Sequence, residues 1–148
     1  MQQRKRVVTG VDARGQSIVV SAGPVPTITT AERHRTEEQW VIQELPPALD
    51  EEVNAADTPD HPLWPATGGA IFRIVAFGKG DGPMHVTDTI DFVVILAGEV
   101  YLVMEEGEVL LTAGDTVIQR ATKHAWENRS DQECVLAGVL IGTPPTDS

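Results

Sequence analysis

The sequence has one cysteine, Cys134. No intrachain disulfide can form, which suits a reducing cytoplasm, and a zinc site built on cysteine pairs is excluded. No apolar run approaches the roughly 20 residues of a membrane-spanning helix. The basic start, MQQRKRVVTG, is not followed by the apolar stretch of a secretory signal. A cytoplasmic protein without a membrane partner is the expectation. Basic residues are scarce: 11 Lys and Arg stand against 22 Asp and Glu, a formal net charge of -11. Such a surface repels nucleic acid and anionic membrane alike. There is no Ser-His-Asp order, no phosphate loop and no long helical periodicity. With no attached DNA-binding segment in view, a stand-alone regulator is disfavoured.

What the chain does have is punctuation. Thirteen Gly and ten Pro divide 148 residues, 41% of them apolar, into short runs of strand character. "RVVTGVDARGQSIVVSAG" (6–23) is two such runs around Asp12-Ala13-Arg14-Gly15, a β-hairpin with Gly15 supplying the positive φ of the turn. Residues 24–36 read as an extended connection, and "EQWVIQEL" (38–45) as a strand stopped by Pro46-Pro47. The acidic "ALDEEVNAAD" (48–57) is one or two helical turns or a loop. The Pro-rich "TPDHPLWPATGG" (58–69) cannot be regular for long, and His61 and Trp64 within it are lid candidates, with plain surface as the blander reading. From residue 70 short strands follow one another: 70–77, 91–98, 99–105, 108–112, 115–119, 124–128 and 134–142. That spacing predicts an all-β sandwich or barrel. "DFVVILAG" (91–98) is nearly all apolar, as a strand covered on both faces would be.

The stretch from Gly80 to Asn128 resembles the two sequence motifs of the cupin superfamily. The family's first motif runs from a Gly-rich turn to His-x-His, then Glu, six residues and Gly. Here His85, Thr87 and Asp91 fall at that spacing, and six residues separate Asp91 from Gly98. The second motif has Gly, five residues, Pro, then His and, four positions on, Asn. Gly114, His124 and Asn128 match it, while Arg120 stands at the Pro position. Thr87 replaces the second His and Asp91 replaces Glu. The resemblance implies a jelly-roll (double-stranded β-helix) barrel over 38–142. A hairpin and extended arm over 1–37 precede it, the hairpin extending one sheet, and a tail covers 143–148. It implies a small organic ligand or substrate in the barrel. It does not fix the chemistry, because the fold hosts many activities.

Within that frame, strand alternation lets His85, Thr87 and Asp91 share the inner face, with His124 opposite. Two imidazoles and a carboxylate suit Fe, Mn, Ni or Zn with a position left open, and Thr87 would leave that position to water or substrate. Asp88 competes with Asp91 as the carboxylate, but its parity is wrong. The same residues without metal make a general acid–base set, His85 or His124 held by Asp91. A ligand-binding cupin without turnover is the third reading. Trp126, sharing parity with His124, lines the pocket or fills the core. Arg73 is a surface salt bridge or a substrate-carboxylate binder, Tyr101 a core or substrate-contacting ring, and Gln119 and Arg120 a rim at the cavity mouth. The outward side chains Phe92, Val94 and Leu96 point to a covering strand or a second subunit, hence a homodimer.

Overall fold

Turn glycines and strand-forming runs shape the chain as the sequence suggests. A computed structural model, describing residues 4–145, contains twelve β-strands and one 3-10 turn. Three residues of the N-terminal arm (1–3) and three of the 143–148 tail (146–148) lie outside the described residues. Among the described residues no helix is long and apolar enough to cross a membrane.

β1 (Arg6–Val11) and β2 (Ser17–Gly23) form the hairpin, with Gly15 at φ 77° and the Asp12 carboxylate accepting from the Arg14 and Gln16 amides. It does not extend a larger sheet but stands as its own two-stranded ribbon. What it offers the barrel is charge: Arg4 meets Glu37 at 2.8 Å and Arg6 meets Asp57 at 2.7 Å. The "extended connection" also proves partly regular. β3 (Ile28–Thr30) lies in it, and β4 (His34–Ile42) begins four residues before the expected 38. β4 pairs with the short β3 on one side and with the distant β5 (Ala70–Phe77) on the other, and its polar "HRTEEQ" lacks the apolar pattern of a strand. The acidic segment yields only the turn Ala55–Asp57. Asn54 caps that turn and also clasps the backbone of Val41 (2.7 and 2.8 Å).

The remaining strands are β6 (Gly80–Asp81), β7 (Thr89–Ala97), β8 (Glu99–Met104), β9 (Glu108–Thr112), β10 (Thr116–Arg120), β11 (His124–Asn128) and β12 (Cys134–Gly142). They make two antiparallel sheets, β10-β7-β12-β5-β4-β3 and β6-β11-β8-β9. Gly98, at φ 76°, turns β7 into β8. A Cβ there would collide with the Glu133 carbonyl, so only glycine fits. The inner faces meet in an apolar core of Phe77, Val93, Ile95 and Leu136 against Val100, Leu102 and Leu111. A fully buried side chain of this size contributes about 1.5–3 kcal/mol. This is the expected jelly roll.

One expectation fails in the single chain: β7 is not covered on both faces. Thr89, Asp91, Val93 and Ile95 turn inward, while Phe92 and Leu96 are 45% and 44% exposed. Phe92 belongs to a row, Ile118–Phe92–Val139–Phe72–Trp40, paired residue by residue across five strands.

Candidate functional site

The open end of the barrel encloses a cavity of about 420 Å³, walled mainly by apolar side chains. His85, Thr87, Asp91, His124 and Trp126 all line it. His85 lies in the loop before β7, where an isolated antiparallel bridge joins it to His124 at the start of β11. The ring centroids are 4.5 Å apart. Trp126 stands edge-on to His124 at 5.9 Å.

Each imidazole is fixed in the same way. His85 Nδ1 lies 2.9 Å from the Pro83 carbonyl and His124 Nδ1 lies 2.8 Å from the Thr122 carbonyl. A carbonyl only accepts, so each Nδ1 carries a proton and Nε2 is the ring nitrogen left uncommitted. This is how a protein orients imidazoles that bind a cation or take a proton. Burial holds the His124 pKa below its ordinary value, with the facing His85 acting in the same direction and the Thr122 bond and Asp91 acting against it.

Asp91 is 8% exposed, and its Oδ1 is buried without a hydrogen-bond partner. Desolvation raises its pKa, against the opposing effects of the Thr89 hydroxyl, His124, Arg73 and His85. Thr87 Oγ1 bonds Thr89 Oγ1 at 2.8 Å, so the two hydroxyls link Thr87 to the carboxyl. Asp88 is exposed and does not line the cavity. The donor set therefore fits a divalent cation in kind: two imidazole lone pairs and a buried carboxyl oxygen that nothing satisfies. Among the described residues, however, no three His, Cys, Asp or Glu side chains already stand together as a complete cage.

Other candidates fall elsewhere. Arg73 is neither a surface ion pair nor a free anion binder. It is buried, with Nε 2.8 Å and Nη2 3.1 Å from the Glu38 carboxylate and Nη2 2.9 Å from the Leu63 carbonyl. The Nε contact is close enough for an ion pair but poorly angled for a hydrogen bond, so Nη2 makes the better bonds. Arg73 still forms part of the cavity wall. Tyr101 does not line the cavity. Strand parity turns it outward, where Arg129 lies 3.7 Å from its ring centroid. Gln119 is buried rather than at the rim, and its amide donates to Thr122. Arg120 is exposed and does not line the cavity. Of the two lid candidates, Trp64 lines the cavity beside Leu63, while His61 bonds only the nearby Thr58 carbonyl.

Sequence reasoning missed Arg33, His34 and Thr36, which line the cavity at the start of β4. They sit in a charged run that reads as solvent-facing. Bonding to β5 and the turn after it, more than thirty residues later in the chain, sets them at the cavity.

Comparison with known proteins adds to the geometry. The family model described as "Cupin domain" matches residues 72–141. Phomopsin biosynthesis cluster protein C' of Diaporthe leptostromiformis is 33% identical over 136 residues, 84% of this chain and 70% of that protein. Oryzines biosynthesis cluster protein J of Aspergillus oryzae is 44% identical over 80 residues, and the match spans only 45% of that protein. The cupin-domain-containing oxidoreductase srdD of Neurospora crassa is 28% identical over 133 residues, 86% of this chain and 68% of that protein. Among solved structures, a Cupin 2 conserved barrel domain protein from Salinispora arenicola superposes with a TM-score of 0.52 at 16% identity. That match covers 78% of this chain and 81% of the other, and bears on the fold alone.

Proposed function

Because this chain belongs to the cupin superfamily, we propose that it is an enzyme transforming a small organic metabolite inside the barrel, with His85, His124 and Asp91 as the reacting set. One observation carries the reading. Two imidazoles that line one cavity both commit Nδ1 to backbone carbonyls, leaving Nε2 open, and a buried Asp91 oxygen without a partner lines the same cavity.

A divalent cation, Fe, Mn, Ni or Zn, would be held by His85, His124 and Asp91, the carboxylate charge being matched rather than left alone in an apolar wall. When bound it would polarise a carbonyl or hydroxyl, or activate oxygen. Lyase, dehydratase and oxygenase chemistry all belong to such a site. The names of the relatives, biosynthesis cluster proteins and a cupin-domain oxidoreductase, support oxidative tailoring of a secondary metabolite. The protein's own part is positional. The Thr87 hydroxyl is placed to bond a water or substrate oxygen, Trp126 gives a flat wall, and the apolar lining excludes bulk water.

A second reading has its own support. Burial moves His124 toward a neutral base and Asp91 toward a protonated acid, the directions that a metal-free acid–base pair requires. Metal analysis of tag-free protein grown in metal-replete medium separates the two. Stoichiometric metal in the wild type, lost in His124→Ala and Asp91→Asn, is the expected result. Wild type that retains no Fe, Mn, Ni or Zn through gel filtration would leave the acid–base reading in its place.

A further inference from the structure

The cavity wall holds two arginines, and they are not equivalent. The charge of Arg73 is matched by Glu38. Arg33 has no carboxylate within ion-pair distance among the described residues, although the chain carries 22 acidic groups against 11 basic ones. Among the described residues its side chain makes one hydrogen bond, from Nη2 to the Gly80 carbonyl at 2.8 Å, and its Nε is buried without a partner.

Arg33 is nonetheless firmly seated. Its carbonyl accepts from the Gly78 amide at 2.8 Å, and its guanidinium carbon lies 5.6 Å from the Phe77 ring centroid. The turn after β5 makes room for it. A Cβ on Gly80, where φ is 140°, would stand 2.9 Å from Arg33 Nε, and one on Gly82 would stand 3.4 Å from Nη1. Two positions without side chains thus leave room for the guanidinium at the cavity wall. A cation held this firmly, partly desolvated and without an anionic mate, is poised for an anion from outside the chain. Besides the polar side chains His34, Thr36 and Thr87 and the reacting set, the wall is apolar, with Val75, Val93, Leu136 and Leu140 among its side chains.

We propose that Arg33 is the specificity-determining residue of this cavity and that its substrate class is a small organic carboxylate with an apolar body. The carboxylate would lie against the Arg33 guanidinium and the apolar body along the wall, with the reacting carbon toward His85 and His124. This inference rests on the enzyme reading above for its chemistry, but the recognition step can be measured without turnover.

The probes are cyclohexanecarboxylate and its neutral near-isostere cyclohexanecarboxamide, titrated calorimetrically into the metal-stripped 148-residue chain at pH 7. Wild type should prefer the carboxylate by about tenfold or more, the scale of one charge-assisted contact. Arg33→Gln should bring the two affinities together, weakening carboxylate binding more than carboxamide binding, and Arg33→Lys should keep part of the preference. Equal wild-type affinities, or no binding of either probe at millimolar concentration, would overturn the proposal. So would a preference that survives Arg33→Gln in protein whose melting curve matches wild type. His124→Ala separates this inference from the enzyme reading. If it, and not Arg33→Gln, removes the preference, the anion sits at the histidines and the Arg33 proposal fails while the histidine site stands. If the preference follows Arg33 but no variant of His85, His124 or Asp91 alters metal content or turnover, recognition stands and the enzyme reading falls.

Discussion

Asp91 and Gln119 stand opposite each other on the β7–β10 ladder, yet the Gln119 amide turns away to Thr122 and leaves the carboxyl without it. Asp91 is therefore buried beside a side chain that could have served it and does not. This cost at the reacting end has a pH signature.

The folded chain holds the Asp91 proton more tightly than the unfolded chain does, because burial raises its pKa. Its contribution to stability is thus full below the ordinary value of 3.8 and is lost as pH rises through the folded value. His124 runs the other way. Its pKa is lowered from 6.5, so its contribution is present above that value and is lost as pH falls below it. In metal-free protein, Asp91→Asn should melt higher than wild type at pH 7 and lose that advantage near pH 4. About 1 kcal/mol corresponds to roughly 2–4 °C in a chain of this size. Melting curves at the two pH values check this, and a variant less stable than wild type at both would refute it.

Breaking the Arg73–Glu38 pair should be costly. Both side chains are buried, at 9% and 1% exposure, so Glu38→Gln strands a guanidinium in the wall. The expected loss is about 3–5 kcal/mol, and replacing both residues by Met and Leu should recover most of it. Urea titration of the single and double variants measures the difference.

The row Ile118–Phe92–Val139–Phe72–Trp40 predicts a homodimer. A two-fold axis would set this patch, with the Arg6 guanidinium 5.7 Å from the Trp40 ring at its end, against itself, and two copies that each carry a net charge of -11 would approach best through a mainly apolar face. Sedimentation should show a dimer at micromolar concentration, and Phe92→Asp a folded monomer. A wild-type monomer at high micromolar concentration would refute the association.

Cys134 should be inert in the native state. It is fully buried, and desolvation pushes its thiol up to about 11, with Glu133 adding to the effect. Iodoacetamide at pH 8 should label it only after unfolding, and labelling of native protein at the free-thiol rate would contradict that burial.

The fold was legible because its signals are local. Gly15, Gly98 and Gly114 sit at positive φ between consecutive strands, and strand parity counted from His85 set Asp91 inward and Asp88 outside the cavity. What escaped depends on residues far apart. Arg73 is a buried residue only because Glu38, 35 positions earlier, folds beside it. Arg33 is held at the cavity by Gly78 and by Gly80, 47 positions later. Tyr101 could have been excluded from sequence: Val100 and Leu102 face the core, so the residue between them must face out.

The placement of Leu63 and Trp64 has an engineering consequence. The histidines are anchored by backbone pairing, whereas these two mouth residues hang on an irregular loop, tied to the wall beneath by the Leu63 carbonyl on Arg73 and by the Trp64 ring over the same guanidinium. The histidines and this loop can therefore be changed separately. Libraries at 60–65 would reshape the entrance and retune ligand size without moving the imidazoles. A grafted loop that keeps one carbonyl for Arg73 should leave the barrel intact.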